Sequence, residues 1–378
     1  MLKFKLKLLT TLGIAALITT ALPVKAAEEI KLGSIEVLTG PASRYGISIK
    51  KALELAREEI NQKGLLGGRK INIQYEDSAG AKDQAIDAAR KLIANGKVKL
   101  IIGPTLSNEM FAVGPVVNER KIPIIGTSNT AKGITTNLPY VFRTSLPESD
   151  VVPVTLKQSQ KKIGYKKVAI LYANDDAFSI ASYEAFKTAL DAAKIEIVAT
   201  ETFANRDTDF SAQLNKIKAA KPDCIIPAAL VEPVAGILLQ ARQMGLTPAM
   251  CIISGNGANS PKLMEIAGPA AEGLIVGTPW FVGKKDAINQ KFIAAYGAKY
   301  NGEQPDQFAA QAYDTLYLIA AAITKAGSDD SEKLRQALTE VSNTGVLGIL
   351  KFDDQRSPAV NSGVVVVSVK NGKFESYE

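Results

Sequence analysis

Two short apolar runs, Leu100–Ile102 and residues 122–125, each end in a glycine followed by hydroxyl residues, in the stretch KLIIGPTLSNEMFAVGPVVNERKIPIIGTSNTAKGI (99–134). The runs are too short for helices and are bounded by Gly and Pro, so they read as buried parallel strands. Residues 107–120 between them have the length and apolar spacing of one crossover helix. Carboxyl ends of neighbouring parallel strands open onto a common crevice, where doubly wound folds bind ligands. Ser107 and the group Ser128, Asn129 and Thr130 are therefore expected to converge there. Hydroxyls beside free backbone N–H groups at a helix start favour an anion, by about 0.3–1 kcal/mol and up to about 2 when partly buried. A small carboxylate suits such a cradle, although either hydroxyl taken alone also suits a helix cap or turn.

The same rhythm runs through the chain. Strands are expected at 30–38, 71–77 and 141–145, with helices at 45–62, 84–94 and 152–163. A second series starts at VAILYA (168–173) and repeats βα units through helices at 177–193, 210–219, 234–244 and 262–267, ending in GLIVGTP. Two such series imply two α/β lobes with parallel sheets. The tail changes character, with helices expected over 286–326 and 331–341 and a last strand at 364–369; at that length it completes the earlier lobes instead of forming a third core. About 350 residues beyond the leader exceed what one core supports, which also argues for two domains.

The first 26 residues carry Lys3, Lys5 and Lys7, an apolar run from Leu8 to Leu22, then Val24-Lys25-Ala26. This is the pattern of a secretory signal peptide cut after about Ala26, and no other stretch could span a bilayer. Four lysines (Lys3, Lys5, Lys7, Lys25) and no acid lie in this segment, so the charge of +7 falls to +3 without it. That mild, evenly spread charge gives no reason to expect nucleic acid.

The chain has no histidine. This removes Ser-His-Asp and Cys-His triads and the common histidine-based zinc sites, so neither catalysis, a metal nor a cofactor is expected. Gly255-Asn256-Gly257 lacks the third glycine of a dinucleotide fingerprint, because Ser260 stands there. Asp175-Asp176 and Asp353-Asp354 read as solvated turns. Trp280 could line a cleft or simply pack in a core, as could Tyr313 and Phe178. Cys224 and Cys251 fall near the starts of adjacent strands; a bridge is open to them, but two buried free thiols are the preferred reading, since spacing does not fix the distance that a bridge needs.

The ordered segments IKLGSIEVLTGPASRYG, LIIGPTLSNE, IPIIGTSNTA, VFRTSLPES, TDFSAQLNKIKAAKPD and AGPAAEGLIVGTP resemble periplasmic solute-binding proteins of the branched-chain amino acid (leucine/isoleucine/valine) type, over essentially the whole chain after the leader. The resemblance implies two Rossmann-like lobes, joined by three crossovers near 145, 280 and 355, that close on a small ligand as a hinged trap and deliver it to the membrane permease of an ABC importer. The implied lobes are 27–145 with 280–355, and 146–279 with 356–378, in a monomer exported to the periplasm. Carried over residue by residue, Ser107, Ser128 and Thr130 hold the ligand carboxylate, with Thr130 also reaching the amine. Tyr45 covers the ligand from the first lobe, and Phe178 falls at a tyrosine of the second.

Two positions depart from the family. Its second-lobe tyrosine is Leu230 here, and its amine-binding glutamate falls on Asn256. A branched-chain or other apolar amino acid then needs another acid, such as Glu232 or Asp175. An aromatic acid, a 2-oxo acid or an amide, each without the α-amine, needs none. A sensor subunit docking on a membrane kinase would use the same trap.

Overall fold

The computed structural model describes residues 29–246, 250–359 and 363–377; the expected signal peptide lies outside them. The first lobe is built on a parallel sheet of β1 (Glu29–Glu36), β2 (Lys70–Asp77), β3 (Ile101–Ile102), β4 (Ile124–Gly126) and β5 (Val141–Arg143), in the order β2-β1-β3-β4-β5. Its inner strands β3 and β4 are short buried isoleucine runs because helices cover both faces, namely α1 (Ser43–Gln62), α2 (Lys82–Lys91) and α3 (Ser107–Glu119), whereas the edge strand β2 is mostly polar. The expected 84–94 helix continues as a π-helical turn over Leu92–Gly96.

After β5 the chain passes into α4 (Glu148–Ile163), then β6 (Lys167–Ala173), α5 (Ala177–Ala193), β7 (Glu196–Phe203), α6 (Ser211–Ala220), β8 (Cys224–Ala228), α7 (Val231–Gln243), β9 (Cys251–Ser254), α8 (Lys262–Ala267) and β10 (Leu274–Thr278). It then returns to the first lobe as α9 (Ala287–Lys299), α10 (Gln307–Ala326), α11 (Ser331–Leu338) and a hairpin, β11 (Ser342–Gly345) with β12 (Gly348–Lys351). α10 packs along α1, with the Tyr45 and Phe308 rings edge to face at 4.7 Å. A third passage brings in β13 (Val365–Lys370) and β14 (Lys373–Ser376), which complete the second sheet in the order β14-β13-β10-β9-β8-β6-β7.

Two expectations are corrected here, and the open reading of Trp280 resolves to core packing. β13 and β14 pair antiparallel, so the second sheet is mixed: a strand arriving from the other lobe needs no right-handed crossover. Trp280 packs inside, 2% exposed, its indole N–H donating to Asn289 Oδ1 at 2.7 Å and its ring edge-on to Phe292. Cys224 and Cys251 form a disulfide, because the β8–β9 register sets them directly opposite with Cα atoms 4.5 Å apart.

The first and third passages lie together. The Arg143 N–H donates to the Arg356 carbonyl at 3.0 Å, and its guanidinium donates to Ser357 Oγ at 2.9 Å and to the Ala131 carbonyl at 2.8 Å. No helix among the described residues is long and apolar enough to cross a membrane.

Candidate functional site

Lobe-one side chains reach across to the second lobe at helix N-termini, whose first N–H groups have no partner inside their own helix. The Tyr45 hydroxyl donates to the Gly257 carbonyl at 2.8 Å and accepts the N–H of Val231, the first residue of α7, at 2.9 Å. Asn108, in the first turn of α3, accepts the N–H of Ala177 at 2.9 Å, where α5 starts, and donates to Asp176 Oδ1 at 3.1 Å. Asp176 is thus a buried cap, 1% exposed and accepting Ser179 N–H, not the solvated turn expected of it. Sequence neighbours gave no sign that the other lobe would cover it. Asp175 does stay at the surface, accepting Asn205 N–H at 2.7 Å.

Glycine permits the close approaches on which these positions depend. A Cβ on Gly46 would lie 2.2 Å from the Val37 carbonyl oxygen, and one on Gly103, at φ +96°, 2.2 Å from that of Ile35. Both hold α1 and the loop after β3 against β1. Behind that loop the buried Glu36 accepts the Thr105 and Ser34 hydroxyls, while Glu109 accepts the Leu106 N–H at 2.9 Å.

Between the lobes lies a cavity of about 20 Å³, room for about one water, lined by Tyr45, Thr105, Leu106, Ser107, Ser128, Phe178, Leu230, Asn256, Gly257 and Phe308. Of the seven residues expected at the site, six line it. The seventh, Thr130, is one residue away: Ser107 Oγ accepts the Ala131 N–H at 3.4 Å. Its hydroxyl is buried without a partner, and the residue borders a groove of about 770 Å³ between α4 and α5 that Glu148 and Arg143, both buried, also line. Ser128 spends its proton on the Thr105 carbonyl at 2.6 Å, so its side chain presents lone pairs and not a donor. Phe308 and Glu148 were missed by sequence reasoning. Phe308 comes from the tail, 263 positions from Tyr45, and Glu148 lies before the helix expected at 152–163, although α4 in fact begins with it.

No residue lining the small cavity is charged. Glu148 lies just behind it, 1% exposed, accepting the Asn256 N–H at 3.1 Å and the Ser182 hydroxyl at 3.2 Å. Burial pushes its carboxyl up to about 7. Burial likewise lifts Glu36 to about 8, and Glu109, Glu232 and Asp314 to about 7. Such groups bind more protons folded than unfolded, where a glutamate titrates near about 4.3. Stability should therefore rise as pH falls from about 8 to about 5. Below about 4 it should fall again, as Glu332, held down to about 2 by the Arg335 and Tyr140 hydrogen bonds, and Asp223, held low by the Lys166 and Lys167 N–H groups, lose their partners' favour. Thermal melts at constant ionic strength check this; a melting temperature that only drops between pH 8 and 5 contradicts it.

The family model described as periplasmic binding protein matches residues 29–373. The chain belongs to the periplasmic binding protein family. A Leu/Ile/Val-binding protein of Rhizobium johnstonii is 31% identical over 341 residues, 89% of each chain. Among solved structures, a branched-chain amino acid substrate-binding protein of Streptococcus pneumoniae in complex with isoleucine has a TM-score of 0.84 and 28% identity, covering 92% of this chain and 98% of that one. A solute-binding protein of an R. palustris ABC transporter in complex with benzoate has a TM-score of 0.83 and 26% identity, covering 92% and 95%. This binding protein accordingly has the two-lobed α/β architecture of receptors for small solutes, and its relatives are described as binding proteins, not enzymes.

Removing the Ser107 or Thr130 hydroxyl should weaken binding of a carboxylate ligand by about 1–3 kcal/mol each, because a charged oxygen loses a donor in a dry cleft. Calorimetry on Ser107→Ala and Thr130→Ala, and on the ligand's methyl ester, reads this directly. Unchanged affinity in all three would make the hydroxyls mere caps.

Proposed function

We propose that this protein is the exported, monomeric receptor of an ABC importer and that it closes on a branched-chain or other apolar α-amino acid. In this reading residues 1–26 are a cleaved signal peptide. The lobes divide as 27–145 with 280–355 and 146–279 with 356–378, and the membrane permease takes the closed form. The observation that carries the reading is the Ser107 hydroxyl at the start of α3, in a cavity walled by Tyr45, Phe178, Leu230 and Phe308, with Thr130 next in sequence to Ala131, whose N–H Ser107 accepts. Polar groups for a carboxylate and apolar walls for a side chain are what a small amphipathic ligand needs. Relatives that bind leucine, isoleucine and valine support it.

A second reading, an aromatic or 2-oxo acid without the α-amine, is favoured by the neutral Asn256 and by the benzoate-bound relative. Thermal shift of the purified protein against leucine, isoleucine, valine, 4-methyl-2-oxopentanoate and benzoate separates the two. A ligand at a hundred times its Kd stabilises the native state by about 2.7 kcal/mol. Shifts from the amino acids support the first reading, and shifts from the des-amino acids alone overturn it.

A further inference from the structure

We infer that Glu148 is the counter-charge for the ammonium of an α-amino acid ligand, taking over from position 256 a task that Asn256 cannot perform. The inference rests on the amino-acid reading above. An amide offers only neutral hydrogen bonds, and an ammonium enclosed without an anion is strongly disfavoured.

Glu148 sits against that very position: one carboxylate oxygen is 3.1 Å from the Asn256 backbone nitrogen, and a Cβ added to Gly255 would meet the other at 2.7 Å. It is 1% exposed, none of the described ion pairs includes it, and its two hydrogen bonds come from neutral groups, Asn256 N–H and Ser182 Oγ. A carboxylate buried on those terms has capacity left for a cation, since its two oxygens offer about four lone-pair sites. It also lines one groove with Arg143 and with Thr130, whose hydroxyl is buried without a partner. In this assignment the ammonium lies against Asn256, which lines the small cavity with Ser107, and Glu148 is its anion.

The other acids fit less well. Glu232 has a free oxygen but borders neither cavity, and Lys262 is the cation that acts on it. Asp175 is engaged at the surface by Asn205.

Calorimetry with L-leucine and with 4-methyl-2-oxopentanoate, which differ at the amine, tests the assignment. In the unmodified protein leucine should bind the tighter; if no amino acid binds at all, the functional reading fails and this inference with it. Glu148→Gln keeps size and hydrogen bonding but removes the charge, and should weaken leucine by about 100-fold while leaving the oxo acid within about threefold. Equal losses for both ligands, or none for leucine, would show that Glu148 only braces the loop and overturn the inference while leaving the functional reading standing. Should the variant not fold, the crystal structure of the leucine complex decides: the ligand nitrogen is expected about 3 Å from a Glu148 oxygen, and a nitrogen held by Glu232 or by carbonyls alone refutes the role.

Discussion

Replacing Cys224 and Cys251 together by alanine should lower the stability of the second lobe by about 3–4 kcal/mol, the loop-closure entropy of a 27-residue separation. At about 2–4 °C per kcal/mol for a lobe of this size, the melting temperature should drop by about 10 °C. Alanine is preferred to serine because Cys224 is fully buried between two strands, where a new hydroxyl would add its own desolvation cost. Reduction of the unmodified protein should reproduce most of the loss. Scanning calorimetry of the oxidised, reduced and double-alanine forms settles it: if the variant melts within about 2 °C of the oxidised protein, the bridge contributes nothing to the folded lobe.

The second large effect concerns Tyr45→Phe. The ring keeps its packing on Phe308, but the closed form loses the hydroxyl shared by the Val231 N–H and the Gly257 carbonyl. Leaving both unpaired costs about 1–3 kcal/mol each. Closure should become less favourable by about 3 kcal/mol, and every ligand should bind about 100-fold more weakly, with the loss the same whether or not the ligand carries an amine. Small-angle scattering should show the variant more extended at subsaturating ligand. Unaltered affinity would mean that the hydroxyl is not part of closure.

The βα alternation was readable because buried parallel strands must be short apolar runs, and the hydroxyl cluster because Gly and Ser/Thr follow two of them directly. What escaped depends on partners far along the chain. Asp176 looked solvated because the side chain that covers it, Asn108, belongs to the other lobe. Pairing of Cys224 with Cys251 is a matter of strand register, which two residues cannot announce. The β11–β12 hairpin has only one buried position in its second strand, so no alternating pattern marked it. Glu148 follows a Pro, as an acid at a helix start does; the Gly255–Gly257 loop and Ser182 of α5, both distant in sequence, are what enclose it.

The threefold passage of the chain between lobes has a consequence for the order of assembly. Neither lobe is complete in a contiguous stretch: the apolar face of α1 waits for α10, more than 240 residues later, and the second sheet lacks its outer strands until residues 365–376 are available. A chain emerging from its N-terminus therefore cannot finish one half before the other is made. Long-range closure of this kind is slow and keeps the nascent polypeptide extensible until nearly its whole length is present, the state in which a protein can be threaded through a narrow channel.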